Sequence, residues 1–88
     1  MSPDLKMFSV YVLQSTSTGK LYIGQSANLD RRIKEHTDGL ARYTRGRGPW
    51  KVVLLEEYHT RAEAMRREKA LKSGQGRAWL KAWLSSSA

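Results

Sequence analysis

The sequence predicts a small α+β domain in which a three-stranded antiparallel sheet is flanked by helices, in the order β, β, α, β, α, α. Short runs rich in β-branched and aromatic residues alternate with runs of helical period. Gly and polar clusters separate these runs, and a chain of 88 residues has room for one core. We therefore expect a single domain over residues 1–88, with its core from about residue 7 to residue 84.

The strands are predicted from three apolar runs. Phe8–Leu13, "FSVYVL", alternates as a strand does, and Leu21–Gly24, "LYIG", follows the turn "STSTGK". The two runs predict an antiparallel hairpin, whose register the sequence leaves open. Lys51–Tyr58, "KVVLLEEY", predicts a third strand, and its nearly continuous apolar run predicts burial on both faces.

The first helix is predicted to begin after Asn28. Leu29, Ile33 and Leu40 recur at helical spacing, and Gly39 lies near the expected end.

The second helix is predicted at Arg61–Lys72, because Thr60–Glu63, "TRAE", matches a capping box. The segment "SGQG" should break it. A short third helix, Arg77–Leu84, then follows, with Trp79 and Trp83 at i,i+4 spacing and a frayed tail after it.

Composition excludes several classes of protein. The chain has no cysteine, which excludes disulfides and thiolate zinc sites, and His36 and His59 lie too far apart for a histidine-rich metal site. No segment approaches the roughly 20 apolar residues of a membrane span, and the first residues do not resemble a signal peptide. We therefore expect a cytoplasmic protein with no membrane partner.

The net charge of +8 predicts a polyanionic partner. The basic loop, which we define as Gly39–Lys51, contains no acid and interleaves arginines with aromatic residues, a pattern suited to phosphate pairing and base stacking. We expect a nucleic-acid partner, DNA rather than RNA. The candidate contacts in this loop are Arg42, Tyr43, Arg45, Arg47, Trp50 and Lys51.

Helical counting places a carboxylate on an apolar face. Ala64, Met65 and Leu71 define the apolar sector of the second helix, and Glu68 falls inside that sector. An inward carboxylate is costly unless it is paired, hydrogen-bonded or bound to a metal.

The first helix has two polar residues within or beside its apolar sector. His36 lies within its apolar sector, and Arg32 flanks that sector one turn earlier. One interpretation is a buried salt bridge between Glu68 and Arg32, with His36 as a core residue. The other is a shared site that also includes Tyr11 and Tyr22 of the hairpin.

These residues resemble the GIY-YIG nuclease domain from about Phe8 to Leu80. The first motif corresponds to Ser9–Tyr11, "SVY", and the second to Tyr22–Gly24, "YIG", with ten residues between the two tyrosines. Asp30–His36 is similar to the segment of the family's first helix.

Two further segments extend the resemblance. Arg61–Lys72 is similar to the helix that contains the family's metal-binding glutamate, and "ARYTRGRGPWKVVLLEEY" is similar to small standalone members. Five segments in this order and at this spacing are specific, although each tripeptide alone is weak.

The resemblance implies a metal-dependent endonuclease that hydrolyses phosphodiester bonds in DNA, with single-stranded and branched DNA among the candidate substrates. Glu68 would hold one divalent cation, Mg²⁺ or Mn²⁺, and Arg32 would neutralise the scissile phosphate. Tyr22, with Tyr11, would orient or deprotonate the attacking water, and His36 would assist. Because the unperturbed pKa of tyrosine is about 10, nearby cations would have to favour its phenolate.

The resemblance also implies how nucleic acid is contacted. Lys20 would lower the pKa of the tyrosine or contact phosphate, and Arg31 of the first helix would contact the strand. Repair and homing relatives have a separate DNA-binding domain. We expect target choice here to come from the basic loop or from a partner protein.

Two positions depart from the family pattern. Ser9 replaces the glycine of the first motif, and no asparagine follows the glutamate helix, because Asn28 is the only asparagine of the chain. A binding module without turnover is therefore a second hypothesis. A third is an adaptor that docks a partner through Trp79 and Trp83, although core packing explains these tryptophans more simply.

Overall fold

The computed structural model describes residues 7–38, 46 and 48–86, and it confirms the predicted order of elements. The strands and helices are β1 (Phe8–Ser15), β2 (Leu21–Ser26), α1 (Leu29–Thr37), β3 (Trp50–Tyr58), α2 (Arg61–Lys72) and α3 (Gly74–Ser86). No helix in these described ranges is both long enough and apolar enough to cross a membrane.

The sheet has the strand order β2-β1-β3, and both pairings are antiparallel. The β1–β2 register places Tyr11 opposite Gly24 and Leu13 opposite Tyr22. Since directly opposed residues share a face, Tyr11 and Tyr22 lie diagonally on one face of the hairpin. We call this face the tyrosine face.

The apolar core lies on the other face of the sheet. Val10, Val12 and Ile23 pack there against Ala64, Leu71 and Leu80 of the last two helices. Each of these six side chains is at most 4% exposed. Burial of apolar surface is the main favourable term in folding, so this layer positions α2 and α3 against the sheet.

The sequence predicts α2 at its observed bounds. The Thr60 hydroxyl accepts a hydrogen bond from the Glu63 amide (3.2 Å) and donates one to the Glu63 carboxylate (3.0 Å), as a capping pair should. The placement of Met65 in the apolar sector is wrong, because this side chain is 52% exposed.

α1 begins and ends near its predicted positions, whereas α3 differs from its predicted bounds. α1 begins after its cap Asn28, which accepts from the Arg31 amide, and it ends at Thr37; Gly39 and Leu40 lie outside the described residues. α3 begins at Gly74, three residues earlier than predicted, because only Ser73 separates it from α2.

Gly76 makes this short connection between α2 and α3 possible. A β carbon at Gly76 would collide with the backbone of Ala70 and Leu71 at the end of α2. Of the segment "SGQG", only Ser73 lies between the two helices, and the other three residues form the first turn of α3. Gly76 allows the backbones of the two helices to approach closely. Ser85 and Ser86, predicted as a frayed tail, belong to α3.

The prediction that β3 is buried on both faces is wrong. β3 is an edge strand, and its Val52 and Leu55 are 45% and 47% exposed. A bulge interrupts the β1–β3 register: Leu54 lies opposite Val12 and Val52 opposite Leu13, so that Val53 is the extra residue. Val53 and Leu54 both pack on the core, and the bulge thus accounts for consecutive apolar residues without burial of two faces.

Candidate active site

Gly24 brings the two tyrosines together on the tyrosine face. The rings of Tyr11 and Tyr22 lie 6.3 Å apart between centroids. A β carbon built on Gly24 would lie 2.7 Å from the hydroxyl oxygen of Tyr11 and 3.0 Å from the ring of Tyr22. Such distances are too short for any other residue, so the glycine of the "YIG" motif is required by the tyrosine beside it and the tyrosine opposite.

His36 of α1 completes an aromatic cluster with the tyrosines. Its ring centroid lies 4.7 Å from that of Tyr22 and 5.9 Å from that of Tyr11. Its Nε2 is within hydrogen-bonding distance, 3.2 Å, of the hydroxyl of Tyr11. His36 is 3% exposed, so the predicted inward orientation of this residue is confirmed.

Arg32 is the cation of this cluster. Its Nη1 donates a hydrogen bond of 2.6 Å to the carboxylate of Glu35, three residues along α1. The Glu35 carboxylate, and then the hydroxyl of Tyr22, raise the pKa of the Arg32 guanidinium, so that it stays charged. The guanidinium also lowers the pKa of Tyr11, which opposes the effect of burial.

Glu68 of α2 acts on the cluster through its charge and has its own partner. Its carboxylate forms an ion pair of 2.9 Å with Lys72, one helical turn away, and its side chain is 22% exposed. Its charge contributes to raising the pKa of Tyr11. The alternative of a buried Glu68–Arg32 salt bridge is wrong, because each group pairs within its own helix.

The electrostatics separate the roles of Tyr11 and His36. Burial, followed by the neighbouring Tyr22, raises the pKa of Tyr11 to about 12, so this phenol is protonated at neutral pH. Burial, followed by the Arg32 charge, lowers the pKa of His36 below 6.5. The expectation that nearby cations favour a phenolate fails at Tyr11, where desolvation exceeds the effect of the Arg32 guanidinium on the pKa.

The donor set near Glu68 fits a weakly held divalent cation. Within the described ranges there is no group of three His, Cys, Asp or Glu side chains that could enclose a metal. Mg²⁺, however, is commonly held by one or two carboxylates, with water and substrate phosphate completing its shell. A partly exposed single carboxylate such as Glu68 fits that mode of binding and excludes a closed protein cage.

Among the predicted contact residues that the structure describes are Lys20, Arg31 and Trp50. Lys20 lines a cavity with Arg77 and Lys81 of α3, and Arg31 is exposed on α1 with its Nε 3.9 Å from Glu35. Trp50 is half-buried at the start of β3. Arg42, Tyr43, Arg45 and Arg47 lie outside the described residues.

Sequence reasoning missed two residues next to the site and one buried amide on the other face of the sheet. Glu35 holds Arg32, and Lys72 holds Glu68; their i,i+3 and i,i+4 spacings could have indicated both pairs. The side-chain oxygen of Gln25 is buried without a hydrogen-bond partner among the described residues. Gln25 lies opposite Val10, on the core face of β2, and no pattern in the sequence indicates it.

This sheet and the cluster of tyrosines, histidine and arginine define a GIY-YIG domain. The family description "GIY-YIG catalytic domain" matches residues 7–81, and the chain belongs to this family.

Its relatives carry the name UPF0213. The chain is 45% identical over 64 residues to UPF0213 protein CPE1444 of Clostridium perfringens, which covers 72% of this chain and 68% of the relative. It is 45% identical over 65 residues to UPF0213 protein NP_0776A of Natronomonas pharaonis, covering 73% and 75%. The solution NMR structure of UPF0213 protein BH0048 from Bacillus halodurans superposes with a TM-score of 0.54 at 38% identity, covering 88% of this chain and 84% of that one.

Proposed function

We propose that this chain is a metal-dependent endonuclease that hydrolyses phosphodiester bonds in DNA. The observation that carries the proposal is the convergence of Tyr11, Tyr22 and His36 on one face of the sheet, with the charges of Arg32 and Glu68 acting on Tyr11. Membership of a nuclease family and the net charge of +8 support the same conclusion.

Arg32 and Tyr22 are the groups proposed to meet the substrate. The Arg32 guanidinium is permanently cationic and already fixed at one end by Glu35, so it can face developing negative charge without reorganising. Tyr22 is half-buried, which leaves its phenol access to solvent and lets it orient the attacking water.

Tyr11 and His36 are proposed to support Tyr22 from the buried side of the cluster. Tyr11 is fully buried and protonated, so it acts as a neutral hydrogen-bonding group and not as a base. His36 is neutral at pH 7, because its pKa lies below 6.5, and its imidazole can accept a proton that leaves through the tyrosine pair.

Glu68 would hold the divalent cation, Mg²⁺ or Mn²⁺. When bound, the cation supplies charge relief on the phosphoryl oxygens. The Glu68 carboxylate would have to exchange its contact with Lys72 for this cation, a small cost because exposed helical ion pairs contribute only about 0.3–0.5 kcal/mol.

Substitution of Glu68 tests the proposal. We expect Glu68→Gln, which keeps shape and removes charge, to lower Mn²⁺-dependent cleavage of end-labelled single-stranded, duplex and forked DNA by at least about 100-fold. Glu57→Gln is the matched control, since Glu57 is an exposed carboxylate of β3. Absence of metal-dependent product from every substrate, RNA included, would contradict the proposal.

A nucleic-acid-binding module without turnover is the second candidate. It is favoured by the lack of an asparagine after α2, because the only one, Asn28, caps α1. This candidate predicts salt-sensitive binding that Glu68→Gln leaves unchanged, with no product from the wild type either. The same cleavage assay therefore separates the two functions.

A further inference from the structure

A groove runs between the β1–β2 turn and α3, on the core side of the sheet. A cavity of about 620 Å³ lies at the turn, and a second of about 420 Å³ lies next to it towards β3. Both are lined by Gln14, Leu84 and Ser85, so they adjoin one another. We call the two together the turn groove.

The turn groove is lined by basic residues and by no acid. Lys20, Arg77 and Lys81 line the first cavity, and Lys51 lines the second. None of the four forms an ion pair with a carboxylate within the described part of the chain. The sequence has no acid from residue 5 to residue 29 and none after Glu68, so the positive charge of this region is not offset locally.

The placement of two of these cations is unfavourable for α3 itself. Arg77 and Lys81 are four residues apart on one helix, and like charges at this spacing repel. Arg77 donates a hydrogen bond of 3.2 Å to the carbonyl oxygen of Lys72, which directs its stem towards the end of α2 and leaves other guanidinium donors available. An anion bound between the two cations would remove the repulsion.

An aromatic ring lies in the same groove. Trp83 lines the second cavity beside Lys51 and is half-buried. Its other neighbour is Trp79, whose ring is stacked on it at 6.1 Å between centroids and 21° between planes. A row of cations that leads to an indole is the arrangement by which proteins hold an unpaired strand, with phosphates on the cations and a base on the ring.

We propose that the turn groove binds a single-stranded stretch of nucleic acid, with phosphates at Lys20, Arg77 and Lys81 and one base against Trp83. Lys20 directly precedes β2, and Tyr22 lies two residues further on, roughly 7 Å along the strand. A strand in the groove can therefore continue past this edge towards the tyrosine face. The inference rests on the proposed function only in taking nucleic acid as the ligand.

Salt dependence of binding tests the phosphate contacts. The probe is a fluorescein-labelled oligothymidylate, and its binding is followed by anisotropy in EDTA over a series of salt concentrations. For Arg77→Ala/Lys81→Ala we expect the slope of log affinity against log salt to become shallower by about 1.4, the value for two lost single-strand contacts.

Arg66→Ala/Lys69→Ala is the matched control. It removes one Arg and one Lys from exposed positions of α2 that line neither cavity of the groove. We expect this variant to keep the wild-type slope, and Arg77→Lys/Lys81→Arg to keep it as well. Equal slopes in the two double alanine variants would overturn the proposal, because net charge alone would then explain the binding.

Substitution of Trp83 tests whether the bound nucleic acid is single-stranded. We expect Trp83→Ala to weaken binding of the oligothymidylate about tenfold, the order of one base–aromatic stack, with the salt slope unchanged. Leu55→Ala is the control, because Leu55 is an apolar residue of β3 that is 47% exposed and lines neither cavity. Trp83→Phe keeps an aromatic surface and should retain most of the affinity if Trp83→Ala proves unfolded by circular dichroism.

The outcome for the groove and the outcome for the nuclease are independent. Binding in EDTA is measured without turnover, and Glu68→Gln should bind the oligothymidylate with the wild-type slope. If the wild type gives no cleavage product while the two double alanine variants still differ in their salt slopes, the proposed nuclease activity alone would be overturned. Preference for duplex over single-stranded DNA, with Trp83→Ala unaffected, would overturn the single-strand assignment.

Discussion

Single residues set the geometry of the candidate active site. Tyr11 is buried because it lies in the central strand, and its hydroxyl is directed at His36 across the space that Gly24 leaves. Tyr22, on the edge strand, shares this face but keeps partial exposure. The two tyrosines therefore differ in role: one supports the cluster, and the other reaches solvent.

Substitution of Gly24 should disturb both tyrosines at once. We expect Gly24→Ala to reduce cleavage at least about tenfold and to destabilise the fold by about 1–3 kcal/mol, as overpacking in a filled site does. Cleavage rate and denaturant unfolding are the measurements. Gly74→Ala is the control, because a β carbon there meets open space at the start of α3; an equal loss in both variants would contradict the packing argument.

At the scale of elements, β3 and α2 are joined by one polar cluster. The Glu56 carboxylate accepts two hydrogen bonds from the Arg67 guanidinium, at 2.8 and 3.2 Å, and one from the Tyr58 hydroxyl at 2.8 Å. Arg67 also lies 5.1 Å over the ring of Trp79 on α3. Bidentate geometry of this kind is stronger than an ordinary surface pair, so it helps to fix both helices against the edge strand.

This cluster should make stability depend on acid pH. Burial alone would raise the pKa of Glu56, but the hydrogen bonds from Arg67 and Tyr58 outweigh burial and lower it. A lowered pKa in the folded state gives stability that is present above the unfolded pKa and lost as pH falls through the folded one. We expect the free energy of unfolding to fall by about 1 kcal/mol between about pH 5 and pH 3 on this account.

Glu56→Gln should remove this part of the pH dependence. Urea unfolding at pH 7 and at pH 3 measures it, and Glu57→Gln, a change at the adjacent exposed carboxylate, should retain the wild-type dependence. A variant Glu56→Gln with the same loss on acidification as the wild type would show that other groups account for it.

The helices and strands also show which parts of the fold are determined by the local sequence. The bounds of α2 follow from a capping pair and a helical period, both of which are local, and they are predicted at the residues observed. The burial of β3 depends on strand order and on the bulge at Val53, which are set by pairing with β1. A run of apolar residues therefore predicts the strand but not its exposure.

The same distinction applies to the candidate site. Helical counting predicts that His36 and Glu68 face inward. His36 is buried, whereas Glu68 is partly exposed, because the apolar sector of α2 is defined in part by Met65, which is exposed. The diagonal contact of Tyr11 with Tyr22 depends on hairpin register, and the direction of the Tyr11 pKa depends on burial; the sequence sets neither locally. The turn groove joins the hairpin turn to α3, more than 50 residues further on.

At the scale of the whole molecule, the core and the candidate metal site are separate. Val10, Val12, Leu71 and Leu80 form an apolar layer that includes no metal-binding side chain. Glu68 is on the same helix as Leu71 but is partly exposed and paired with Lys72. Folding is therefore expected to be independent of the cation that the proposed activity would require.

Removal of metal should separate activity from stability. We expect EDTA to abolish cleavage and to leave the thermal midpoint unchanged within about 1 °C, because a cation held by one carboxylate adds little to the folded state. The midpoint is measured by circular dichroism with EDTA and with Mn²⁺. A rise of several degrees in Mn²⁺ that persists in Glu68→Gln would place a structural cation elsewhere.

The position of β1 between two neighbours affects how the molecule opens. Its backbone amides are paired on both sides, with β2 and with β3, whereas the two outer strands are each paired on one side in this sheet. Amide hydrogen exchange should therefore be slowest in β1, at rates set by global unfolding. Tyr11 is part of that segment, so the inner half of the site should remain assembled through every local fluctuation that frays the sheet edges.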